Sequence, residues 1–192
     1  MQAFLIATGL VALAEIGDKT QLLAFMLAAR FRRPWPIVLG IFVATVVNHA
    51  VAGAVGSWLT HVIGPNALRW ILGLSFIAMA GWMLIPDKLD EDDTPKPGHG
   101  VFVTTVIAFF LAEMGDKTQI ATVALAARFP AEFIGVVMGT TAGMMVANVP
   151  AVLVGDKLAH KLPVTLVHRI AAVIFAALGV ATLVAGGSLL GG

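Results

Sequence analysis

Two short stretches hold the residue types that could do chemistry. Ala14-Glu15-Ile16-Gly17-Asp18-Lys19-Thr20-Gln21 recurs 98 residues later as Ala112-Glu113-Met114-Gly115-Asp116-Lys117-Thr118-Gln119, identical at seven of eight positions. Each lies in the middle of an apolar run. An acid at the centre of a bilayer costs about 2.5–3.5 kcal/mol, so Glu15, Asp18, Glu113 and Asp116 together would cost on the order of 10 kcal/mol, less whatever Lys19 and Lys117 return. A structural role could be met by cheaper groups, so the acids point to a site. Their ligand set is all oxygen: four carboxylates, the hydroxyls of Thr20 and Thr118, and the amides of Gln21 and Gln119. Hard divalent cations such as Mn²⁺, Ca²⁺ and Mg²⁺ suit it, whereas Zn²⁺ and Cu⁺ prefer nitrogen or sulfur. Four carboxylates and two lysines sum to −2, which one divalent ion neutralises. When that ion leaves, burial and like-charge repulsion favour protons in its place. The expected chemistry is exchange of a metal ion against H⁺.

On a continuous helix Glu15 and Asp18 share one face, with Gln21 one turn further on, and Glu113, Asp116 and Gln119 repeat the pattern. Gly17 and Gly115 interrupt each motif and could permit a bend or unwinding that frees backbone carbonyls. Lys19 stands four residues from Glu15 and could pair with it. Lys19 and Lys117 either neutralise the acids or occupy the site until metal displaces them. Asn48 and Asn148 could add amide oxygens, although hydrogen bonding between helices also accounts for them. His49 could be a ligand or a proton relay, and packing is the ordinary alternative. Met114 and the other methionines are expected to pack.

These motifs need a membrane to position them. Of the 192 residues, 59% are apolar and 12% charged, with a mean hydropathy of +0.94. So few ionic groups cannot cover a water-facing surface of this size. Net charge is +1 without a basic cluster, which argues against nucleic acid, and with no Cys, disulfides and thiolate metal sites are excluded. Six segments are long and apolar enough to span: about 3–29, 35–59, 67–85, 101–128, 132–155 and 167–188. Arg30 to Pro34, the stretch from Pro86 to Gly100, Phe129-Pro130 and Lys161 to Pro163 supply breaks between them. The expected fold is an all-α membrane protein of six transmembrane helices, arranged as two inverted three-helix repeats. The first repeat covers 1–85, an acidic linker 86–100, and the second repeat 101–192. Three crossings per repeat turn the second copy upside down, an arrangement that puts transporter sites near the midplane. Small residues every four positions, Gly40, Ala44, Asn48, Ala52 and Gly56, and again Gly135 to Gly155, form a ridge for close helix packing.

Outside the motifs, Arg30, Arg32, Arg33, Lys88, Lys96, Lys157, Lys161 and Arg169 fall on one side, and only Arg69 and Arg128 on the other. That bias makes the linker cytoplasmic and puts both termini outside. The linker acids Asp87, Asp90, Glu91, Asp92 and Asp93 read as a solvated tether. Met1-Gln2-Ala3-Phe4 lacks the basic start of a secretory signal, so the first helix is expected to be retained.

The paired Glu-x-Gly-Asp-Lys-Thr motifs, six helices and acidic linker resemble a cation-transporter family. It includes bacterial MneA-type manganese exporters and Golgi proteins of manganese and calcium handling, and is grouped with the lysine-exporter superfamily. The resemblance covers essentially the whole chain, with no departure in either motif. It implies proton-coupled cation export, Mn²⁺ being the favoured bacterial substrate, and carries metal binding onto Glu15, Asp18, Glu113 and Asp116. Gly17, Lys19, Thr20, Gly115, Lys117 and Thr118 match it too. The compact chain, without the extra N-terminal segment of eukaryotic members, suggests a prokaryotic inner membrane. The expected partners are the lipid bilayer and the metal ion; no cofactor or enzyme activity is expected, and the pattern carries no sign of an oligomeric state. Three alternatives stand beside Mn²⁺/H⁺ exchange. One is a Ca²⁺/H⁺ antiporter. The second is an intramembrane aspartyl protease, whose Gly-x-Gly-Asp pattern would have Glu15 and Glu113 at the first glycine. The third is a metal sensor without transport.

Overall fold

Apolar runs become helices here, and glycine, proline or arginine ends them. The structure is a computed structural model describing residues 1–85, 100–154 and 163–184. Its elements in these residues are helical: α1 (Gln2–Glu15), α2 (Lys19–Phe31), α3 (Pro34–Val62), α4 (Pro65–Trp82), α5 (Val101–Glu113), α6 (Lys117–Arg128), α7 (Phe133–Val154) and α8 (Val164–Val184). A 3₁₀ turn, Pro130–Glu132, leads into α7. Pro34 and Pro65 open α3 and α4, where a missing N–H would have no helical partner anyway. Arg32 closes α2 in the left-handed region (φ 51°), its N–H donating to the Ala28 carbonyl.

The segments expected at 35–59, 67–85, 132–155 and 167–188 correspond to α3, α4, α7 and α8. Those at 3–29 and 101–128 are corrected: each is two short helices separated by a break at 16–18 or 114–116. The linker 86–99, with its five acids, lies outside the described residues, as do Gly155, Lys157 and Lys161.

Among the described residues, Pro34–Val62, Pro130–Val154 and Val164–Val184 are each long and apolar enough to cross a membrane. The outward face of α3 shows what surrounds them. Trp35, Leu39, Phe42, Val47, Val51, Val55 and Trp58 are all exposed. An apolar stripe of that extent does not face water in a monomer. Tryptophan near each end matches the aromatic belts of membrane helices. From Trp35 to Trp58 the helix rises about 34 Å at ~1.5 Å per residue, close to the ~30 Å of a hydrocarbon core. The protein is a multi-pass membrane protein.

Inside, the two halves interlock. α1 packs on α7, α5 and α6 pack on α3, α3 also meets α7, and α4 packs on α8. The small-residue ridges make these approaches possible. A Cβ on Gly56 would lie 2.2 Å from the Val123 carbonyl oxygen of α6, and one on Gly143 2.7 Å from the Thr8 carbonyl of α1. Backbone-to-backbone contact of this kind is how helices associate without a hydrophobic drive between them. One apolar cluster joins α1, α4, α6 and α8 around Phe76 and Phe175. The other joins α2, α3, α5 and α7 around Ile41 and Phe109. This frame holds the two broken helices against each other.

Candidate metal centre

The breaks are built by local sequence. α1 stops at Glu15. Ile16 (φ −66°, ψ 114°) and Gly17 (φ 82°) then form a turn, and the Asp18 N–H donates back to the Glu15 carbonyl at 3.1 Å. These angles describe a type II turn, whose third residue needs positive φ and hence glycine. The second copy repeats it through Met114 (φ −64°, ψ 119°) and Gly115 (φ 75°), with Asp116 N–H to the Glu113 carbonyl at 3.1 Å. Asp18 and Asp116 become the N-caps of α2 and α6, so each carboxylate stands at the positive end of a helix. The expectation that Glu15 and Asp18 share one face of a continuous helix is therefore corrected. Gln21 and Gln119 do not extend such a face. Their Oε1 atoms accept the Gly17 and Gly115 N–H groups at 2.9 and 2.8 Å, and Gln21 Nε2 donates to the Ala147 carbonyl on α7.

The two turns face each other. Glu15, Glu113 and Asp116 each present a carboxylate oxygen within 4.8 Å of the other two, and all three residues are buried. Twice a cation–oxygen bond of about 2.1–2.5 Å is roughly 4.2–5.0 Å, so three such oxygens fit around a single divalent ion. The Thr20 hydroxyl donates to Glu15 Oε2, and the Thr118 hydroxyl to Glu113 Oε2 at 3.1 Å. Each glutamate thus has one oxygen oriented by its own motif. The other, Oε1, has no hydrogen bond among the described residues.

Asp18 is not in that group of three. Lys117 Nζ lies 3.0 Å from its Oδ1, with both side chains 1% exposed. Lys19 lies 3.6 Å from Asp116 in a looser pair, its side chain 22% exposed. Each lysine therefore pairs with the aspartate of the other repeat; the expected pairing of Lys19 with Glu15 along one helix is corrected. With Asp18 and Lys117 cancelling, the formal charges of Glu15, Glu113, Asp116 and Lys19 sum to −2, which one divalent cation neutralises.

Of the two asparagines, Asn48 donates to the Phe110 carbonyl at 3.2 Å and ties α3 to α5. Asn148 donates to the Met144 carbonyl, and its Oδ1 is buried without a hydrogen bond among the described residues. His49 is fully buried, with Nε2 3.7 Å from Glu113 Oε2, and like Asp18 it is not in the group of three. Met114 is exposed rather than packed.

One contributor carried no signal in the sequence. His168 Nε2 donates to the Ile16 carbonyl at 2.6 Å, across 152 positions of chain. Val164 sits over Gly17, and the two belong to the lining of a cavity of about 340 Å³ beside the first turn. The second turn is different: Gly115 is exposed, and no heavy atom of the described residues lies within 4 Å of where its Cβ would be. The two turns match in backbone shape but differ in cover.

The profile of a family described as "Divalent cation/proton antiporter GDT1" matches residues 3–91 and 101–189. A Vibrio cholerae protein named "Putative manganese exporter" is 48% identical over 182 residues, covering 95% of this chain and 90% of that one. A GDT1-like protein of Synechocystis is 31% identical over 91% of this chain and 93% of its own length. A GDT1-like protein of Oryza sativa is 29% identical over 90% of this chain and 70% of its own. No solved structure matches significantly.

Proposed function

The chain belongs to the divalent cation/proton antiporter family GDT1, as a cation transporter and not an enzyme, and from that premise we propose that it exports Mn²⁺ in exchange for H⁺ through the site between its two turns. The observation that carries this reading is the meeting of Glu15 with Glu113 and Asp116 within 4.8 Å. Glu15, Glu113 and Asp116 are the direct ligands, and Asp18 is held by Lys117 in this conformation. Gly17 and Gly115 shape the turns, Thr20 and Thr118 orient the glutamates, and Gln21 and Gln119 brace the turns. Three buried carboxylates this close do not stay charged together without a cation among them, so protons replace the departing ion. Lys19 gives up Asp116 when metal arrives.

The chain crosses the membrane six times as two inverted repeats, residues 1–85 and 101–192 around the cytoplasmic linker 86–100. Reciprocal pairing supports this: Lys19 with Asp116 and Lys117 with Asp18, α1 on α7 and α5 on α3. If residue i meets j and j meets i, a twofold relation is implied. Both termini lie outside a prokaryotic inner membrane, following the Lys and Arg distribution. Manganese rather than calcium is favoured by the name of the Vibrio relative.

The test is flux in reconstituted vesicles with an imposed pH gradient, following Mn²⁺ and Ca²⁺ for the wild type, Glu15→Gln and Asp116→Asn. Mn²⁺ should move against the proton gradient in the wild type and not in either variant. Normal transport by the variants would sink the site. Movement of Ca²⁺ alone would reassign the substrate, and flux indifferent to the pH gradient would remove proton exchange.

A further inference from the structure

His49 is a buried imidazole without a hydrogen bond among the described residues. It sits on α3, 0% exposed, and neither Nδ1 nor Nε2 has a hydrogen-bond partner among the described residues. Leaving buried polar atoms unsatisfied lowers stability, and groups of this kind call for an explanation. Its Nε2 stands 3.7 Å from Glu113 Oε2. That separation is too long for a hydrogen bond. It does fall within the roughly 3.0–4.4 Å that separates two donors on one ion with bonds of about 2.2 Å. Glu113 Oε1 is likewise without a hydrogen bond among the described residues. Beside His49, Asn48 bonds the Phe110 carbonyl and anchors α3 to the helix that ends at Glu113. The imidazole is thus held beside Glu113, outside the group formed with Glu15 and Asp116, by the bonded pair of α3 and α5.

We propose that His49 supplies a nitrogen donor to the cation bound at Glu113, biasing the site toward first-row transition ions, Mn²⁺ among them, over Ca²⁺ and Mg²⁺. The inference rests on the carboxylate site proposed above. Ca²⁺ and Mg²⁺ take oxygen shells, and three carboxylates alone would serve them as well as Mn²⁺. Imidazole nitrogen is accepted by first-row transition ions and gains strength along the series from Mn²⁺ to Cu²⁺. One nitrogen therefore separates ions that the oxygen set treats alike. The donor belongs to one repeat only. The offset of 99 that pairs Gly40 with Gly139 sets His49 against Asn148, an amide.

The experiment uses tag-free full-length protein in lipid nanodiscs, loaded with Mn²⁺ and read by pulsed electron paramagnetic resonance. Nitrogen modulation of the Mn²⁺ signal is expected in the wild type and in the control His61→Gln, whose ring is exposed near the end of α3, and its loss in His49→Gln, whose amide oxygen replaces the ring nitrogen. In the same variant Mn²⁺ affinity should fall at least tenfold, with Ca²⁺ affinity changed less than threefold. A packing role would lower both affinities together, and that result overturns the proposal. So does nitrogen modulation that is missing from the Mn²⁺-loaded wild type or that survives His49→Gln. If His49→Gln does not fold, the wild-type spectrum decides, with histidine-selective ¹⁵N labelling to identify the coupled nucleus. Wild-type protein that binds no Mn²⁺ at all removes the carboxylate site, and this inference with it.

Discussion

Alanine at Gly17 and at Gly115 is the same chemical change at two positions with matching backbone, yet the consequences should differ. Both glycines have positive φ, 82° and 75°. An L-residue in that region loses about 1–2 kcal/mol to the clash of its Cβ with the following carbonyl. At Gly115 that is the whole effect, because no heavy atom of the described residues lies within 4 Å of the new methyl. At Gly17 the methyl would lie 2.2 Å from Val164 Cγ1, a separation that real carbon atoms do not adopt. α8 must shift or Val164 change rotamer, adding about 1–3 kcal/mol as in other overpacked sites. Destabilisation should be about 1–2 kcal/mol for Gly115→Ala and about 2–5 kcal/mol for Gly17→Ala. At roughly 2–4 °C per kcal/mol for a chain of this length, Gly17→Ala should melt some 2–12 °C below Gly115→Ala. Thermal unfolding in detergent, followed by circular dichroism, measures this. Val164→Ala in the Gly17→Ala background should recover most of the difference. Equal melting of the two variants, or no recovery with Val164→Ala, would refute the covered-turn reasoning.

Three further outcomes follow from the ion pairs and the helix contacts. Lys117→Met removes the ammonium 3.0 Å from a buried carboxylate and should cost about 3–5 kcal/mol. Lys19→Met, in the more exposed pair with Asp116, should cost less and tighten Mn²⁺ binding by freeing a ligand; chemical denaturation and calorimetric titration read the two effects. Asp116→Asn should weaken Mn²⁺ at least tenfold, whereas Asp18→Asn should act mainly on stability, and the order reverses if Asp18 is the direct ligand. His168→Ala breaks the bond to the Ile16 carbonyl and should lower stability by about 1 kcal/mol, with His168→Gln recovering part of it. Unchanged melting in His168→Ala would mean that this bond contributes nothing.

Much of the architecture was legible because its causes are local. Membrane character follows from the shortage of charge over long apolar runs, and four of the six expected segments correspond to single helices. The ridge of small residues implies close packing, and at Gly56 and Gly143 it brings backbones together. The duplicated motif singled out the candidate site because carboxylates in an apolar run are costly wherever they occur. Glycine at 17 and 115 suggested a bend, since left-handed backbone is nearly its own preserve.

The partners were not legible. Helical spacing set Glu15 with Asp18 and Lys19 with Glu15 on one face, but a type II turn ends that face between the two acids. Once the helix breaks, the i, i+3 and i, i+4 relations no longer apply across it. Which acids converge then depends on how α1 with α2 is laid against α5 with α6. That docking is decided by ridges on α3 and α7, far along the chain. From sequence alone, then, come the acids, the turns and the repeat. Only tertiary packing made Lys117 the partner of Asp18, grouped Glu15 with Glu113 and Asp116, brought His49 to Glu113, and covered one turn with His168 while leaving its twin exposed. A repeat in sequence imposes equal local geometry, whereas contacts between distant helices need not be equal in a single conformation.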